Sequence, residues 1–335
     1  MQEIEKRIYR YLEQPIYPDV LETLLEVVEI TGVLQGGLML SQHPALIHEA
    51  VLLFEILYEA AQREVYHSYT DALLDIYSQN ADSFIHKHYQ ILLACRSYAN
   101  SKTTLFMMLP ATDIIRINEC VMHQDVVFLE QTMSAQSLEK FTSPINTFME
   151  CIYSSPHHPY IQTAAVIAYA TTTSAKYALQ PLALEILCSS LLNPLNPSPL
   201  PLHLAKYQMF YGIGTNGDFS FDNYLLNFLF FIKNEFNNII RLIRGLENGK
   251  ERLLSQLKEA AFTKHVTAFN DLIQNSLCFQ NKTLTDSLDI SAKTSIEYMK
   301  QLELCGLVAG YRCGRKKLYI NEYLLGIILE ALSNG

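Results

Sequence analysis

Seven stretches of this chain repeat apolar residues at three- and four-residue spacing: Val20 to Leu34, Pro44 to Arg63, Ile85 to Tyr98, Ser137 to Tyr153, His158 to Ala170, Tyr177 to Leu192 and Phe221 to Leu246. That period gathers apolar side chains on one face of a helix, and a chain with seven such faces must bury them against one another. A mainly α-helical body is therefore expected up to residue 246. Its interruptions are also legible. Asn193 to Pro201 cannot be helical, because each proline there removes a backbone donor and restricts the residue before it. Gly212 to Asp218 reads as a second loop, and Gly249 as a third break.

At 335 residues, 49% hydrophobic and 18% charged, the chain has enough apolar content for a large core and enough length for two domains, or for one domain with an appendage. Seven cysteines stand scattered at 95, 120, 151, 188, 278, 305 and 313, with no CxxC pair, a pattern of reduced thiols and hence of a cytoplasmic location. The first residues lack the apolar core of a secretory signal. Tyr177 to Leu192 and Tyr224 to Ile232 are short or interrupted by Pro181, Glu185 or Asn227, so no membrane span is expected.

Lys282 to Glu330 carries a different pattern. Lys282 to Ser291 reads as a short helix and a tight turn. Ala292 to Leu304 reads as a second helix, with Thr294, Tyr298 and Gln301 on one face, Ile296, Met299, Leu302 and Leu304 available for burial, and Gly306 as its C-terminal stop. Two β runs then flank a Cys313-Gly314 turn. Helix, turn, helix and basic hairpin together read as a winged helix, the module expected for residues 278–335 after a helical connector at 247–277 and a main domain at 1–246.

The charge distribution points the same way. The chain has a net charge of −9, which argues against a protein that coats nucleic acid generally. Ser291 to Ile320 nevertheless holds six basic residues against Glu297 and Glu303, a local +4 that leaves −13 elsewhere. In a DNA-binding reading, Lys293, Thr294, Ser295 and Tyr298 lie in the first turns of the second helix and reach base edges or nearby phosphates, while Arg312, Arg315, Lys316 and Lys317 grip the backbone through the wing.

Several segments resemble, in order, the Fic family of mostly helical proteins that transfer AMP from ATP to protein hydroxyls. Glu29 to Gly37 resembles an early family helix, His43 to Tyr58 the helix that usually ends in Ser-Ser-x-Ile-Glu-Gly, Pro159 to Tyr169 the helix leading into the active-site loop, and Gly217 to Leu229 a Gly-Asp-aromatic stretch. A C-terminal winged helix is a frequent family appendage. The family's activity depends on His-Pro-Phe-x-(Asp/Glu)-Gly-Asn-Gly-x-x-Arg, with the histidine as general base, the acidic residue on Mg²⁺ and the glycines cradling phosphate. No such string occurs here. Ungapped extension puts Ala175, Lys176 and Tyr177 at His-Pro-Phe and Leu179 at the acidic position, and neither His nor Gly occurs between Thr163 and Leu200. The inhibitory helix is equally altered, with Leu53 and Phe54 at the paired serines and Leu57 at the glutamate. The resemblance thus implies a catalytically inactive Fic-like domain, with no catalytic residue, ATP or other cofactor.

Other clusters read more plainly. His86 and His88 point about 200° apart on a helix, and His157-His158 marks a loop and helix start without a third zinc ligand, so no metal is expected. Glu22, Glu26 and Glu29 form a solvated stripe, Gly36-Gly37 lacks any phosphate-loop context, and Cys188 and Cys305 are expected as buried small hydrophobes. Phe228 to Phe231 is expected to pack in the core. The expected function is transcriptional regulation by a homodimer on double-stranded DNA. Two alternatives stand beside it: a diverged nucleotidyl transferase using Lys176 on phosphate and Glu185 on a metal, and a non-catalytic scaffold holding a protein in the old Fic groove.

Overall fold

The computed structural model describes residues 2–62, 68–78, 82–102, 109–130, 148–172, 180–192, 220–259, 265–314 and 316–332. Among them the chain is mainly α-helical with one small sheet. The order is α1 (Gln2–Leu12), α2 (Pro18–Leu40), α3 (Pro44–Gln62), α4 (Tyr69–Ser78), α5 (Phe84–Lys102), α6 (Ala111–His123), a 3₁₀ turn (Val126–Leu129), α7 (Pro159–Thr172), α8 (Pro181–Leu192), α9 (Phe221–Glu259), α10 (Val266–Asn275), β1 (Cys278–Phe279), α11 (Asn281–Leu288), α12 (Ala292–Leu304), β2 (Ala309–Cys313), β3 (Lys316–Ile320) and α13 (Glu322–Leu332). Residues 148–154 are also helical.

The chain forms two compact units, Met1–Gly32 with Lys87–Asn234, and Val33–His86 with Glu235–Gly335. Position 246 falls inside α9, which runs on without a break to Glu259.

In the first unit α7 has no solvent face over its first three turns: every residue from Tyr160 to Ala168 is buried. That is the behaviour of a helix that is apolar all round. Its alanines at 164, 165 and 168 let neighbours approach, and α1 and α8 pack against it. The Tyr160 hydroxyl finds a partner in the Thr31 hydroxyl at 2.6 Å, which satisfies both groups inside the core. Phe148 and Tyr169 stack with ring centroids 3.8 Å apart.

In the second unit α13 packs against α3, and α4 packs against β2 and β3. Gly249 explains itself here. Expected as a break, it lies within α9, where a Cβ would stand 3.0 Å from the Ile327 side chain and 3.1 Å from the Tyr323 hydroxyl. That hydroxyl donates to the Gly249 carbonyl at 2.6 Å, so the glycine marks a close helix crossing. Gly37 similarly faces Ile243 at 3.3 Å.

Among the described residues α2 is long and apolar enough to cross a membrane by length and composition, and a third of its most apolar window, 33%, is buried inside the protein. Its inward side is engaged, as Thr31 and Gly37 show.

The glycines differ in what they would tolerate. Gly32, exposed inside α2 with nothing near its Cβ position, should accept alanine with a gain of about 0.5–1 kcal/mol from helix propensity. Gly249→Ala should instead cost about 1–3 kcal/mol through overpacking. Urea unfolding of the two variants measures both, and a gain at Gly249 would refute the crossing argument.

Candidate nucleic-acid interface

A helix, a short strand, two helices and a hairpin follow one another from Val266 to Ile320, and one core holds them together. Phe269 and Ile273 of α10, Leu284 and Leu288 of α11, Met299 and Leu302 of α12 and Tyr319 of β3 pack with Leu253 and Leu257 from the end of α9. The sheet has the order β1-β3-β2 and is antiparallel throughout, with Cys278 opposite Ile320 and Cys313 opposite Lys316.

Local chemistry delimits each helix. Gln280 and Thr283 form a reciprocal capping box at the start of α11, and Asp289 closes it in the left-handed region at φ 50°. Ser291 then caps α12 by accepting from the Thr294 amide at 3.1 Å. At the far end Gly306 takes φ 68°, its amide donates to the Glu303 carbonyl, and the Leu307 amide donates to the Leu302 carbonyl. This paired closure needs a residue with no Cβ penalty beyond the last turn. The hairpin turns at Gly314, φ 60°. Asn321, fully buried, joins the module to α13: its side-chain amide donates to the carbonyls of Ile273 and Ser276, and its oxygen accepts from the Leu324 amide.

The core decides which side chains of α12 are offered to solvent. Ser295 is fully buried and its hydroxyl donates to the Asn281 carbonyl at 3.1 Å. Tyr298 sets its ring edge-on to Phe269 at 5.0 Å and is half-buried. Both therefore belong to the inner side of the helix, and Thr294, half-buried, belongs to the cap. Lys293 is exposed. The outward stripe runs Lys293, Ile296, Glu297, Lys300 and Leu304, with Ile296 at 43% and Leu304 at 87% exposure where burial was expected. Sequence reasoning passed over Lys300, whose seven-residue spacing from Lys293 was the available signal. Cys305, expected to be buried, is exposed, since it follows the last turn beside Leu304. Cys188 is buried as expected.

On the hairpin Arg312 and Lys316 are exposed; Arg315 lies outside the described residues. Lys317 is already engaged. Its ammonium meets both Glu303 carboxylate oxygens at 3.0 and 3.1 Å and sits 4.6 Å over the Tyr319 ring. Burial pulls its pKa down, but the bonds to Glu303 and Tyr319 outweigh this and hold it above the ordinary lysine value. A side chain at Gly310 would collide with both Glu303 and Lys317, so the bare glycine leaves room for the pair. Arg312 is the cross-strand partner of Lys317, and thus on the same hairpin face. Exposed cations thus stand on both elements, Lys293 and Lys300 on α12, and Arg312 and Lys316 on the hairpin.

The residues carried over from the catalytic motif, Ala175, Lys176, Tyr177 and Leu179, lie outside the described residues. Leu53 and Phe54 are core residues of the second unit. Glu185 is 1% exposed and bonded to Arg96 Nη2 at 3.1 Å, an ion pair that occupies its carboxylate. Among the described residues no cluster of three His, Cys, Asp or Glu side chains is placed to hold a metal. No protein-family model matches the chain, and no curated protein matches it.

The Glu303–Lys317 pair is 29% and 44% exposed, so water screens it heavily. A double-mutant cycle of Glu303→Ala and Lys317→Ala should give a coupling of about 0.2–1 kcal/mol in low salt, shrinking as salt rises. A coupling above that range, unaffected by salt, would contradict a screened surface pair.

Proposed function

We propose that this chain is a DNA-binding protein, a cytoplasmic transcriptional regulator in which residues 278–335 act as a winged helix on a catalytically inactive, Fic-like helical body. The order β1, α11, α12, β2, β3, with a sheet arranged β1-β3-β2 and α10 of the preceding segment packed in the same core, supports the winged helix. α12 then serves as the helix that enters the major groove and the hairpin as the wing. The observation that carries the reading is the set of four exposed cations on α12 and the hairpin, Lys293, Lys300, Arg312 and Lys316, in a chain of net charge −9. Phosphate contact needs such a local basic field. With Ser295 and Tyr298 turned inward, base contacts fall to Lys293, Ile296, Glu297 and Lys300. Ile296 suits a thymine methyl, and Glu297 can accept from a cytosine amino group.

The Fic-like reading rests on the ordered resemblance of its segments. The inactive reading rests on the missing His-Pro-Phe string and on Glu185 being bonded to Arg96. One small reader makes few contacts, so the chain acts as a homodimer on paired half-sites.

A second use has its own observation, since exposed Ile296 and Leu304 on the same stripe suit a protein contact. Under it, Ile296→Glu with Leu304→Glu would convert a dimer to a monomer in light scattering while duplex binding is absent from the unaltered chain.

Fluorescence anisotropy of the full chain with random duplex DNA at about 50 mM salt tests the main reading. Binding should appear, and Lys293→Ala with Lys316→Ala should weaken it roughly tenfold or more and reduce the salt slope by about 2. No binding at that salt, or an unchanged slope in the double variant, would sink it.

A further inference from the structure

One side of α2 is engaged: Val20, Leu24, Val27, Thr31, Leu34 and Leu38 are buried. Its other side carries apolar residues into solvent. Leu21, Leu25, Val28 and Met39 are exposed, Leu25 at 61% and Met39 at 85%, and so are Val33 and Leu40. More of the exposed large hydrophobics lie on this helix than on any other described element, so they form a patch where a surface usually shows only scatter. At 100° per residue, Leu21, Leu25, Val28, Gly32, Gly36 and Met39 fall within an arc of about 80°. Both glycines are exposed, with nothing within 4 Å of a Cβ. α2 is one unbroken helix, so this alignment follows from its own backbone.

The order of sizes along the stripe says what covers it. Large side chains fill the first half, at 21, 25 and 28; bare backbone fills the second, at 32 and 36, before Met39 closes it. Two such helices laid antiparallel about an axis near Ile30 bring Leu25 of each over Gly36 of the other, Val28 over Gly32 and Leu21 beside Met39. A symmetric parallel pair would set glycine on glycine and leucine on leucine, and the leucines would hold the helices apart. A two-fold contact must be complementary to itself, and the stripe meets that condition in the antiparallel sense. With Val33 and Leu40 it exposes on the order of 700 Å² of side chain, close to the roughly 800 Å² that each side of a stable interface buries.

We propose that α2 is the contact between two copies of this chain, paired antiparallel. An anionic lipid surface is a poorer occupant, because Glu22 and Glu29 flank the stripe, exposed and without an ion pair among the described residues. Glu26 on the same side is already bonded to Lys233 at 2.8 Å. Glu29 lies near the axis, so its two copies approach each other across the seam and oppose pairing. The contact gives the DNA-binding reading a surface for its homodimer, yet it stands on α2 alone.

Sedimentation velocity on the full chain without DNA, from about 1 to 200 µM, tests the pairing, and its failure would leave DNA binding untouched. A dimer should appear with a dissociation constant on the order of 10 µM, the strength of an interface at the small end of the range. Below that concentration the chain is a monomer, the state to which the gain expected for Gly32→Ala applies. Leu25→Glu should leave a monomer throughout, since pairing would bury its charge. Gly36→Leu should weaken pairing at least about tenfold by filling the place of the partner's Leu25. Open space around Gly36 lets the monomer accept this change, and thermal unfolding of the dilute variant should report unimpaired stability. Glu29→Gln should tighten the dimer about two- to threefold. Ile296→Glu with Leu304→Glu should leave it unchanged. A monomer at every concentration, a dimer that survives Leu25→Glu or Gly36→Leu, or one lost in the Ile296 and Leu304 variant would each overturn the proposal.

Discussion

The second unit is organised by the inward stripe of α12. Ser295, Met299 and Leu302 are each fully buried, Tyr298 leans on Phe269, and the helix is closed by Ser291 at one end and by the Gly306 turn at the other. A helix anchored on one side and capped at both ends has little freedom to rotate, because turning it by one residue, about 100°, would bring Lys300 to the place of Met299. The cost of burying an unpaired charge is far above what the surface gains. The outward stripe therefore follows from the core, and so does the hairpin, whose Tyr319 belongs to the same core and whose Lys317 is tied back to Glu303 on α12.

Charge in this module is spent in two ways. Lys317 and Glu303 neutralise each other over Gly310, which ties the hairpin to the end of α12 and leaves one cation fewer facing solvent unpaired. Lys293, Lys300, Arg312 and Lys316 remain exposed, with Arg312 and Lys316 on opposite faces of the hairpin. In the first unit the buried charges are handled differently: Glu185 by Arg96, and Asp113 by Tyr98 and Arg116 at 2.6 and 2.9 Å. Removing one partner of such a pair would leave a buried charge uncompensated.

Much of the helical layout was legible from periodicity. Ala292 to Leu304 has the bounds observed for α12, and the segments starting near Val20, Pro44, Ile85, His158 and Phe221 each coincide with a helix to within a few residues at their starts. α1, α4 and α6 were not anticipated, because short helices that mix aromatic, charged and apolar residues show little contrast in a single sequence. Gly249 misled because a mid-helix glycine looks the same whether it ends a helix or admits Tyr323 and Ile327 against it. Position in the first turns of α12 points Ser295 and Tyr298 to base contact; the Asn281 carbonyl and the Phe269 ring, partners that lie elsewhere in the chain, hold them inward.

The amino-acid sequence by itself determined the helical class, the positions of the turn glycines at 306 and 314 and the clustering of cations near the C-terminus, since these depend on local backbone preference and composition. Only the tertiary structure decided which of those cations face outward, that Lys317 is held by Glu303, and that α2 leaves Leu25 and Met39 exposed. Each of these depends on contacts between residues distant in the chain, and local spacing carries no record of which distant partner a side chain will meet.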